Sequence, residues 1–170
     1  MFCFLPTNEN CTNMIEVQSP NSPYDLEGHR VFLAGTIDMG NSENWQQKVV
    51  NELANTDAIL LNPRRDDWDS SWVQSIDNAQ FNEQVTWELN NITRADTVIF
   101  YFAPDSVSPI TLMELGYVLG RNDYNPQNIL VCCPEKFWRK GNVDIMCKRE
   151  GVQVYTDIDT LISNIRKVIK

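Results

Sequence analysis

The sequence predicts an α/β fold of three layers, in which helices cover both faces of a mostly parallel, five-stranded sheet. Short apolar runs that suit β-strands alternate with stretches of helical periodicity along most of the chain. The segments that connect them are short, and strands joined through helices in this way pair in parallel. Residues 97–102 are apolar almost throughout, which is typical of a central strand buried on both faces.

Length and composition fit one domain with a core of its own. The chain has 170 residues, of which 42% are hydrophobic and 10% aromatic, so a disordered or low-complexity protein is not expected. Residues 1–28 are rich in Asn, Pro and Ser and are predicted to form an N-terminal arm. Within this arm only residues 14–17 resemble a strand, at an edge of the sheet. Residues 29–170 are predicted to form the single domain.

Five strands are predicted in this domain from its apolar runs. They span residues 31–34, 58–61, 97–102, 129–133 and 152–155. Cys132 and Cys133 lie in the fourth run, where thiols usually act as small core hydrophobes. We therefore expect both side chains to be buried and reduced.

Four helices are predicted between and after these strands, from helical periodicity and from capping residues. They span residues 42–53, 81–94, 109–119 and 158–169. Ser42 is expected to be the N-cap of the first helix. Ser108 followed by Pro109 marks the start of the third, since serine suits the N-cap and proline suits the first helical position.

Charge and missing patterns exclude several classes of function. With 14 Lys and Arg against 23 Asp and Glu, the net charge is -9, whereas a binder of nucleic-acid polymers needs a basic face. No apolar run approaches the ~20 residues of a membrane helix, and the apolar opening lacks the basic residues of a signal peptide. No Cys or His pair has zinc spacing, and His29 is the single histidine. The sequence predicts a cytoplasmic protein without metal, cofactor or membrane partner.

Candidate binding residues follow the first predicted strand. In parallel α/β sheets, ligands bind beyond the carboxyl ends of the strands, at a switch in strand order. Gly35, Thr36 and Asp38 lie in such a turn, whose two glycines and polar side chains suit an anionic or sugar group at a helix N-terminus. A plain connection between strand and helix explains the same residues equally well.

The loop after the second strand contains Asn62, Arg64, Arg65 and Trp68, together with three aspartates. Guanidinium donors beside an indole face suit a nucleobase or a phosphate group. The alternative is surface charge, in which the arginines pair with the aspartates. This alternative fits Arg65 better than Arg64.

Glu114 is the most informative residue of the sequence. Its helix is apolar nearly all round and is therefore expected to be buried. An ionised carboxylate at such a position is costly unless it is paired or lines a polar pocket. Because Glu114 lies near the start of the helix, the helix dipole favours the anion, which suits a nucleophile more than an acid. A structural ion pair is the alternative.

Glu88 is the second candidate carboxylate. Its helix is expected to bury a stripe that consists of Phe81, Val85, Leu89 and Ile92. Glu88 lies about 55° from the centre of that stripe, at the border of the buried face. Trp87 is expected to point away from the stripe and to cover a neighbouring loop or subunit. A solvated Glu88 is the alternative.

Two carboxylates that converge on one pocket without histidine or metal suit glycosidic-bond chemistry. One of them attacks the anomeric carbon, while the other positions groups or moves a proton. An inverting enzyme or a pocket without catalysis can use the same residues, so these alternatives stay open at this point.

Four motifs occur in order between residues 30 and 155. They are residues 31–37 (VFLAGTI), 62–65 (NPRR), 87–88 (WE) with 95–96 (AD) following, and 113–117 (MELGY), of which the last is the strongest. With them the chain resembles the nucleoside 2-deoxyribosyltransferase family, including its nucleotide N-glycosidase relatives. The resemblance implies a flavodoxin-like, Rossmann-like fold and cleavage of the N-glycosidic bond of a (deoxy)nucleoside or nucleotide.

The resemblance also implies roles for individual residues. Glu114 corresponds to the nucleophile, which forms a covalent glycosyl-enzyme intermediate, and Glu88 to the carboxylate that contacts the base or its leaving proton. The residues implied to bind substrate are Gly35, Thr36, Asp38, Asn62, Arg64, Trp68, Ser106 and Ser108. Transferases of the family commonly carry an aspartate at the position of Ser108, and the serines here are similar to those of relatives that bind a 5′-phosphate or a ribose.

Two further expectations concern assembly and activity. Family members form homodimers or larger homo-oligomers, and residues 138–148, with Trp138, Asp144 and Met146, are expected either to complete a neighbour's pocket or to cover the edge of their own sheet. A small nucleoside or nucleotide is the expected partner. The alternative function is a non-catalytic protein on the same fold that binds or sequesters a nucleotide derivative.

Overall fold

The sheet and its helices are defined by residues 13–37 and 43–169, which the computed structural model describes. Six strands are described: β1 (Ile15–Gln18), β2 (Arg30–Gly35), β3 (Ile59–Asn62), β4 (Thr97–Tyr101), β5 (Ile129–Cys132) and β6 (Val154–Tyr155). Five α-helices accompany them: α1 (Trp45–Leu53), α2 (Ala79–Arg94), α3 (Pro109–Leu119), α4 (Lys140–Arg149) and α5 (Ile158–Val168). The predicted fold class is confirmed.

The strands are ordered β1-β3-β2-β4-β5-β6, and every described pair of neighbours is parallel. The sheet has six strands instead of five because β1 pairs with β3 along its whole length, starting with Ile15 opposite Ile59. Without this edge strand the order is that of flavodoxin-like sheets. The chain therefore switches from one side of the sheet to the other between β2 and β4, whose carboxyl ends form the crevice where ligands bind.

Two hydrophobic layers hold the helices on the sheet. Alternate strand residues point to opposite faces, so Phe32 and Phe100 lie in one layer whereas Leu33 and Ile99 lie in the other. Helices α2, α3 and α4 cover the first layer, and α1 and α5 cover the second. All five residues of β4 are buried, as expected for the central strand.

Gly35 ends β2 beneath a buried indole. A Cβ atom at this position would lie 2.6 Å from Cζ2 of Trp45 and 2.6 Å from the backbone oxygen of Tyr101. The Trp45 indole also donates its Nε1 hydrogen to the backbone oxygen of Thr36 at 3.0 Å. Packing of Trp45 against the end of β2 is therefore sufficient to require glycine at residue 35.

The start of α1 differs from the prediction. The helix begins at Trp45, and the side chain of Asn44 accepts a hydrogen bond from the backbone nitrogen of Gln47, so Asn44 is the N-cap. The predicted N-cap, Ser42, lies outside the described residues. Asparagine and serine are equally good caps, and helical periodicity alone does not choose between positions two residues apart.

Helix α4 was not predicted, because only Val143 and Cys147 of its ten residues are buried. Such a short apolar stripe gives little periodicity. Both residues pack into the same core layer as α2 and α3. Most of segment 138–148 is therefore a helix on its own sheet, which agrees with one of the two expectations for this segment.

The buried face of α2 is half polar, which corrects the predicted apolar stripe at all but Ile92. Its fully buried residues are Gln84, Trp87, Asn91 and Ile92. Leu89, which was expected in the core, is 44% exposed, and Trp87 is buried instead of pointing away. The Trp87 indole packs on Phe32 with ring centroids 6.2 Å apart and donates its hydrogen to the backbone oxygen of Asn21 at 2.8 Å.

Helix α3 is apolar nearly all round but is not buried all round. Leu115 and Val118 face the core, whereas Ile110, Met113 and Tyr117 are exposed. The prediction of a fully buried helix is therefore wrong for one face. These exposed apolar residues on three successive turns form an apolar patch, whose exposure to water is unfavourable.

The cysteines at the end of β5 and directly after it are confirmed as core residues. Cys132 and Cys133 are free and fully buried, and burial raises the pKa of each thiol to about 12. They pack as small hydrophobes on opposite faces of the sheet.

Among the described residues, no helix combines the length and apolarity needed to cross a membrane.

Candidate active site

Three hydroxyl side chains meet at the switch point of the sheet. Thr36 directly follows β2, and Ser106 and Ser108 follow β4. Oγ1 of Thr36 lies 2.5 Å from Oγ of Ser108 and 3.2 Å from Oγ of Ser106, and the two serine oxygens are 2.6 Å apart. All three residues are buried. The structure thus brings together three of the predicted binding residues from two separate loops.

The hydroxyls form a closed ring of hydrogen bonds with the backbone of Ala103. The Ala103 nitrogen donates to Thr36 Oγ1 at 3.0 Å, and Ser106 Oγ donates to the Ala103 oxygen at 2.9 Å. If Thr36 donates to Ser108 and Ser108 donates to Ser106, each hydroxyl hydrogen is used once. This ring holds the loop after β4 against the end of β2.

Ser108 occupies the N-cap of α3 in an unusual backbone conformation. Its φ is 42° and its ψ is 51°, in the left-handed region that side chains rarely adopt. Its side chain makes no capping hydrogen bond to the helix. The predicted N-cap position is therefore correct, but the hydroxyl is turned into the ring with Thr36 and Ser106 instead of toward the helix.

Glu114 lies in the second turn of α3, just beyond the carboxyl end of β4, and its side chain is partly buried. No hydrogen bond to its carboxylate is present among the described residues. Burial, and in addition the charge of Glu88, raise its pKa to about 8. The expected stabilisation of the anion by the helix dipole is therefore outweighed by the loss of solvation.

Glu88 is partly buried on α2 and is close enough to Glu114 for its charge to raise the pKa of Glu114. Burial raises the pKa of Glu88 itself to about 7, although a hydrogen bond from Gln84 to its Oε1, 2.7 Å long, opposes this effect. The alternative of a solvated Glu88 is wrong. Two interacting carboxyls with raised pKa values share one bound proton near neutral pH. Their two apparent pKa values are properties of the pair and not of either residue.

Glu88 is buried because a polar stripe runs along α2. Gln84, Glu88 and Asn91 are spaced by four and three residues, so they lie on one face of the helix. Gln84 and Asn91 are fully buried, and the Asn91 Oδ1 atom has no partner among the described residues. Neither residue was a candidate from the sequence. Helical spacing of amides around a carboxylate is the signal that could have found them.

The start of the loop after β3 is shaped by Asn62, which is buried. Its Oδ1 accepts a hydrogen bond from the backbone nitrogen of Arg64 at 3.0 Å, and its Nδ2 donates to Glu16 Oε1 at 2.7 Å. The side chain of Asn62 therefore ties the loop to the edge strand β1.

Arg65 is a structural residue of this loop. Its guanidinium donates two hydrogen bonds to Asp67, at 2.6 and 2.7 Å, and lies over the ring of Trp72, 5.1 Å from the centroid. The interpretation of Arg65 as paired charge is confirmed. Because the pair is held in place by the indole, it orders the loop beside α2.

Arg64 and Trp68 present unpaired donors in the same loop. Nη1 of Arg64 and Nε1 of Trp68 are buried without a hydrogen-bond partner among the described residues. Trp68 packs edge-on against Trp72, with ring centroids 5.0 Å apart. A buried N–H without an acceptor is costly, so both groups suit a ligand that supplies acceptor oxygens or nitrogens.

The family of proteins described as "Nucleoside 2-deoxyribosyltransferase like" matches residues 28–137 of the chain. This segment is more than half of the chain and contains the hydroxyl ring, Glu88 and Glu114. The chain belongs to this family. The predicted resemblance is thereby confirmed, and the family is typically enzymatic and acts on small nucleosides. No curated protein shows a significant match to the chain.

Two predicted binding residues of this family member are not joined to the others by any described contact. Gly35 contacts Trp45 and Tyr101, as its place under the indole requires, and Asp38 lies outside the described residues. The single histidine, His29, lies at the amino ends of the strands, opposite the carboxyl ends. His29 Nε2 is 2.9 Å from Oγ1 of Thr97, the first residue of β4, so imidazole chemistry at the carboxyl edge is excluded.

A separate groove of about 450 Å³ lies between the outer face of α2 and residues 20–24. It is lined by Tyr24, Glu83 and Asn90, among others, and includes neither catalytic candidate. Its one carboxylate, Glu83, is exposed and lies 3.8 Å from Arg65. The groove therefore contains none of the catalytic or binding residues that the sequence predicts.

Proposed function

We propose that this family member breaks the N-glycosidic bond of a (deoxy)nucleoside or nucleotide, by hydrolysis or by transfer, through a covalent intermediate on Glu114. The observation that carries this proposal is the carboxyl pair at the switch point. Glu88 and Glu114 are partly buried, are coupled in their titration and have raised pKa values. Such a pair is the apparatus of retaining glycosidic chemistry.

The first step forms the glycosyl-enzyme intermediate. An ionised Glu114 oxygen attacks the anomeric carbon C1′ while the bond from C1′ to the base nitrogen breaks. The electron pair of that bond remains on the base, which takes a proton from neutral Glu88. Free base and a Glu88 carboxylate result, and the sugar is held as an ester of Glu114.

The second step releases the sugar. A water molecule, or the nitrogen of a second base, attacks C1′ and gives its proton to the Glu88 carboxylate. The bond from C1′ to Glu114 breaks and its electron pair returns to the carboxylate. The protein regains its starting protonation state, in which Glu88 is neutral and Glu114 is ionised.

This starting state is the less populated of the two singly protonated forms of the pair, because the pKa of Glu114 lies above that of Glu88 and the proton rests mainly on Glu114. The first step therefore follows transfer of this proton from Glu114 to Glu88. With pKa values raised to about 7 and about 8, the pair carries one proton in a window around neutral pH. The rate of base release is therefore expected to follow a bell-shaped pH profile. The two apparent pKa values read from this profile are properties of the pair and not of either residue alone.

The remaining candidates are proposed to bind the substrate around this pair. Thr36, Ser106 and Ser108 would face the sugar or its 5′-phosphate, because their hydroxyls can exchange ring hydrogen bonds for substrate oxygens. Arg64 and Trp68 would meet the base or phosphate with donors for which the described part of the chain offers no acceptor. Gly35, Asp38 and Asn62 stay predictions from the sequence.

The proposed function is tested by a substrate panel. Wild-type protein is incubated with ribo- and deoxyribonucleosides and with their 5′-monophosphates, and base release is followed by chromatography. We expect at least one substrate to release base. After a rapid acid quench, intact mass spectrometry is expected to show a sugar ester on a peptide that contains Glu114. Base release without any adduct on a carboxylate would favour an inverting mechanism.

A non-catalytic binding protein is the second candidate function, and the hydroxyl ring favours it. Where family transferases commonly carry an aspartate, Ser108 takes part in a ring whose hydrogen bonds are satisfied without substrate. Binding of an intact nucleotide, measured by calorimetry, with no cleavage over a long incubation would support this function and contradict the first.

We propose that the protein acts as a homodimer or a larger homo-oligomer. Exposed apolar side chains lie on the two helices that carry the carboxyl pair and beside α4: Leu89 on α2, Ile110, Met113 and Tyr117 on α3, and Trp138 before α4. The Tyr117 hydroxyl lies 3.5 Å from Oγ1 of Thr93 on α2, so the two helices present one surface. Surfaces of this kind commonly mark contact with another protein chain.

Sedimentation velocity tests this assembly. Wild-type protein is expected to sediment as a dimer or larger species, and Ile110→Lys is expected to shift it to the monomer, because a buried, unpaired ammonium opposes association. Ile76→Lys is the matched control, since Ile76 is 80% exposed on the loop before α2. A monomeric wild-type protein at all concentrations would contradict the proposal.

A further inference from the structure

Gln84 is a buried amide whose four hydrogen bonds join two other parts of the chain, Ser19 and the loop after β3, to Glu88. It is only 3% exposed. Its Nε2 donates to the backbone oxygen of Pro63 at 2.9 Å and to Oε1 of Glu88 at 2.7 Å. Its Oε1 accepts from Oγ of Ser19 at 2.6 Å and from Nη1 of Arg65 at 3.4 Å. No hydrogen-bonding position of this amide is left for substrate.

The orientation of the amide follows from its partners. The Pro63 carbonyl oxygen can only accept a hydrogen bond, and a guanidinium can only donate one. The nitrogen of Gln84 must therefore face Pro63 and Glu88, and its oxygen must face Arg65 and Ser19. An inverted amide would place two acceptors against each other at Pro63 and two donors against each other at Arg65.

We propose that Gln84 is the positioning residue of Glu88 and determines which oxygen of Glu88 carries the transferable proton. Because Gln84 Nε2 can only donate, Oε1 of Glu88 must accept, and since the carbonyl oxygen of a neutral carboxyl is a better acceptor than its hydroxyl oxygen, this hydrogen bond favours the proton on Oε2. This inference rests on the proposed function in one respect, namely that the Oε2 proton is the one given to the leaving base. The hydrogen-bond geometry itself is independent of catalysis.

The surrounding charges determine the direction of the effect. Glu114 on α3 acts on Glu88 as a like charge, whereas Arg65 acts from the loop after β3 and reaches Glu88 only through the Gln84 amide. On α2 itself, Glu83 is exposed and lies 3.8 Å from Arg65. Burial raises the pKa of Glu88, and the hydrogen bond from Gln84 lowers it. Loss of the Gln84 donor should therefore raise the pKa of Glu88 further.

The first experiment needs no catalytic activity. The Glu88 carboxyl carbon is titrated by NMR in free wild-type protein and in Gln84→Met, which keeps the volume but removes both donors. We expect the pKa of Glu88 to rise by about one pH unit, as the loss of a hydrogen bond to a charged group implies. Asn90→Met is the matched control, because Asn90 lies on the exposed face of the same helix. An unchanged pKa in Gln84→Met would overturn the proposal.

A second variant covers a failure of Gln84→Met to fold. Gln84→Asn keeps the amide but is one methylene shorter, so it cannot hold Pro63 and reach Glu88 at once. The same upward change in the pKa of Glu88 is expected. If Gln84→Asn folds and leaves the pKa unchanged, the proposal is overturned in the same way.

The kinetic experiment separates positioning from general stability. In Gln84→Met, kcat for base release is expected to fall roughly tenfold with KM changed less than about threefold, and the pH profile is expected to move to higher pH. In a Glu88→Gln background, Gln84→Met is expected to cause no further change in the pH profile, because the group that it positions no longer titrates. Equal effects in both backgrounds would overturn the proposal. Failure of the proposed function would leave no base release in any variant, while the NMR result would still stand.

Discussion

Glu114→Ala is expected to reduce the rate of base release by about a thousandfold or more. The substitution removes the oxygen that bonds to C1′, and the loss of a covalent nucleophile generally costs several orders of magnitude in kcat. Substrate binding is expected to change much less, because the hydroxyl ring and the donors of the loop after β3 are untouched. The effect should therefore lie in kcat and not in KM.

Chromatography of free base measures this loss, with Glu135→Ala as the control. Glu135 is an exposed glutamate whose only described ion pair is a 3.6 Å contact with Lys140, so its removal is expected to leave the rate within about twofold. Circular dichroism confirms that both variants are folded. Undiminished base release by Glu114→Ala would exclude Glu114 as the nucleophile.

Glu114→Gln is expected to stabilise the folded protein at alkaline pH. The folded state raises the pKa of Glu114 from 4.5 to about 8, so the folded protein binds this proton more tightly than the unfolded chain does. The free energy of unfolding of wild-type protein must then fall as the pH rises from about 4.5 through about 8. Glutamine has no such proton to lose, and its neutral amide fits the space of the neutral carboxyl.

The expected gain is about 1–3 kcal/mol at pH 9 and close to zero at pH 4, on the scale of 1.36 kcal/mol for each pKa unit and with a discount for partial exposure. Urea unfolding of wild-type protein and Glu114→Gln at the two pH values measures it. Glu135→Gln is the control, since an exposed carboxylate contributes little at either pH. Equal stability of wild-type protein and Glu114→Gln at pH 9 would show that the Glu114 carboxylate is not destabilising.

The two substitutions are expected to act in opposite directions, since Glu114→Ala lowers the rate of base release whereas Glu114→Gln raises the free energy of unfolding at alkaline pH. A carboxylate that lowers stability when ionised and is required for turnover is a feature retained for chemistry and not for folding. Glu88 acts in the same direction, since burial also raises its pKa.

The layered fold was predictable because local patterns and tertiary packing agree. Apolar runs became the strands β2 to β6, and their alternation with helices led to parallel pairing in a flavodoxin-like order. Helix α4 was missed because it buries only Val143 and Cys147. A helix that contributes two side chains to a core leaves almost no periodicity in the sequence.

The residue types and chain positions of the candidate site were predictable from the sequence, but the contacts between its side chains were not. Thr36 follows a strand that ends at the switch point, which is enough to nominate it. Glu88 and Glu114 were nominated by their positions on helices and, like Ser108, by the family resemblance. Gln84 was missed, since a rule that places apolar residues inside assigns an amide to the surface. The same rule put Leu89 in the core, where the structure has a polar face instead.

The sequence by itself determined the fold class and the family and nominated the two carboxylates, because each depends on short patterns that can be recognised without knowledge of their neighbours in space. Tertiary structure alone decided that Arg65 is paired with Asp67, whereas Arg64 has a donor without an acceptor in the described ranges, and that Gln84 holds Glu88 by one oxygen. These properties depend on burial and on the orientation of the Gln84 amide, which its contacts with Ser19, Pro63 and Arg65 determine. Neither the burial of these side chains nor the orientation of their hydrogen bonds is defined until β2, β3 and β4 bring their loops to the same end of the sheet.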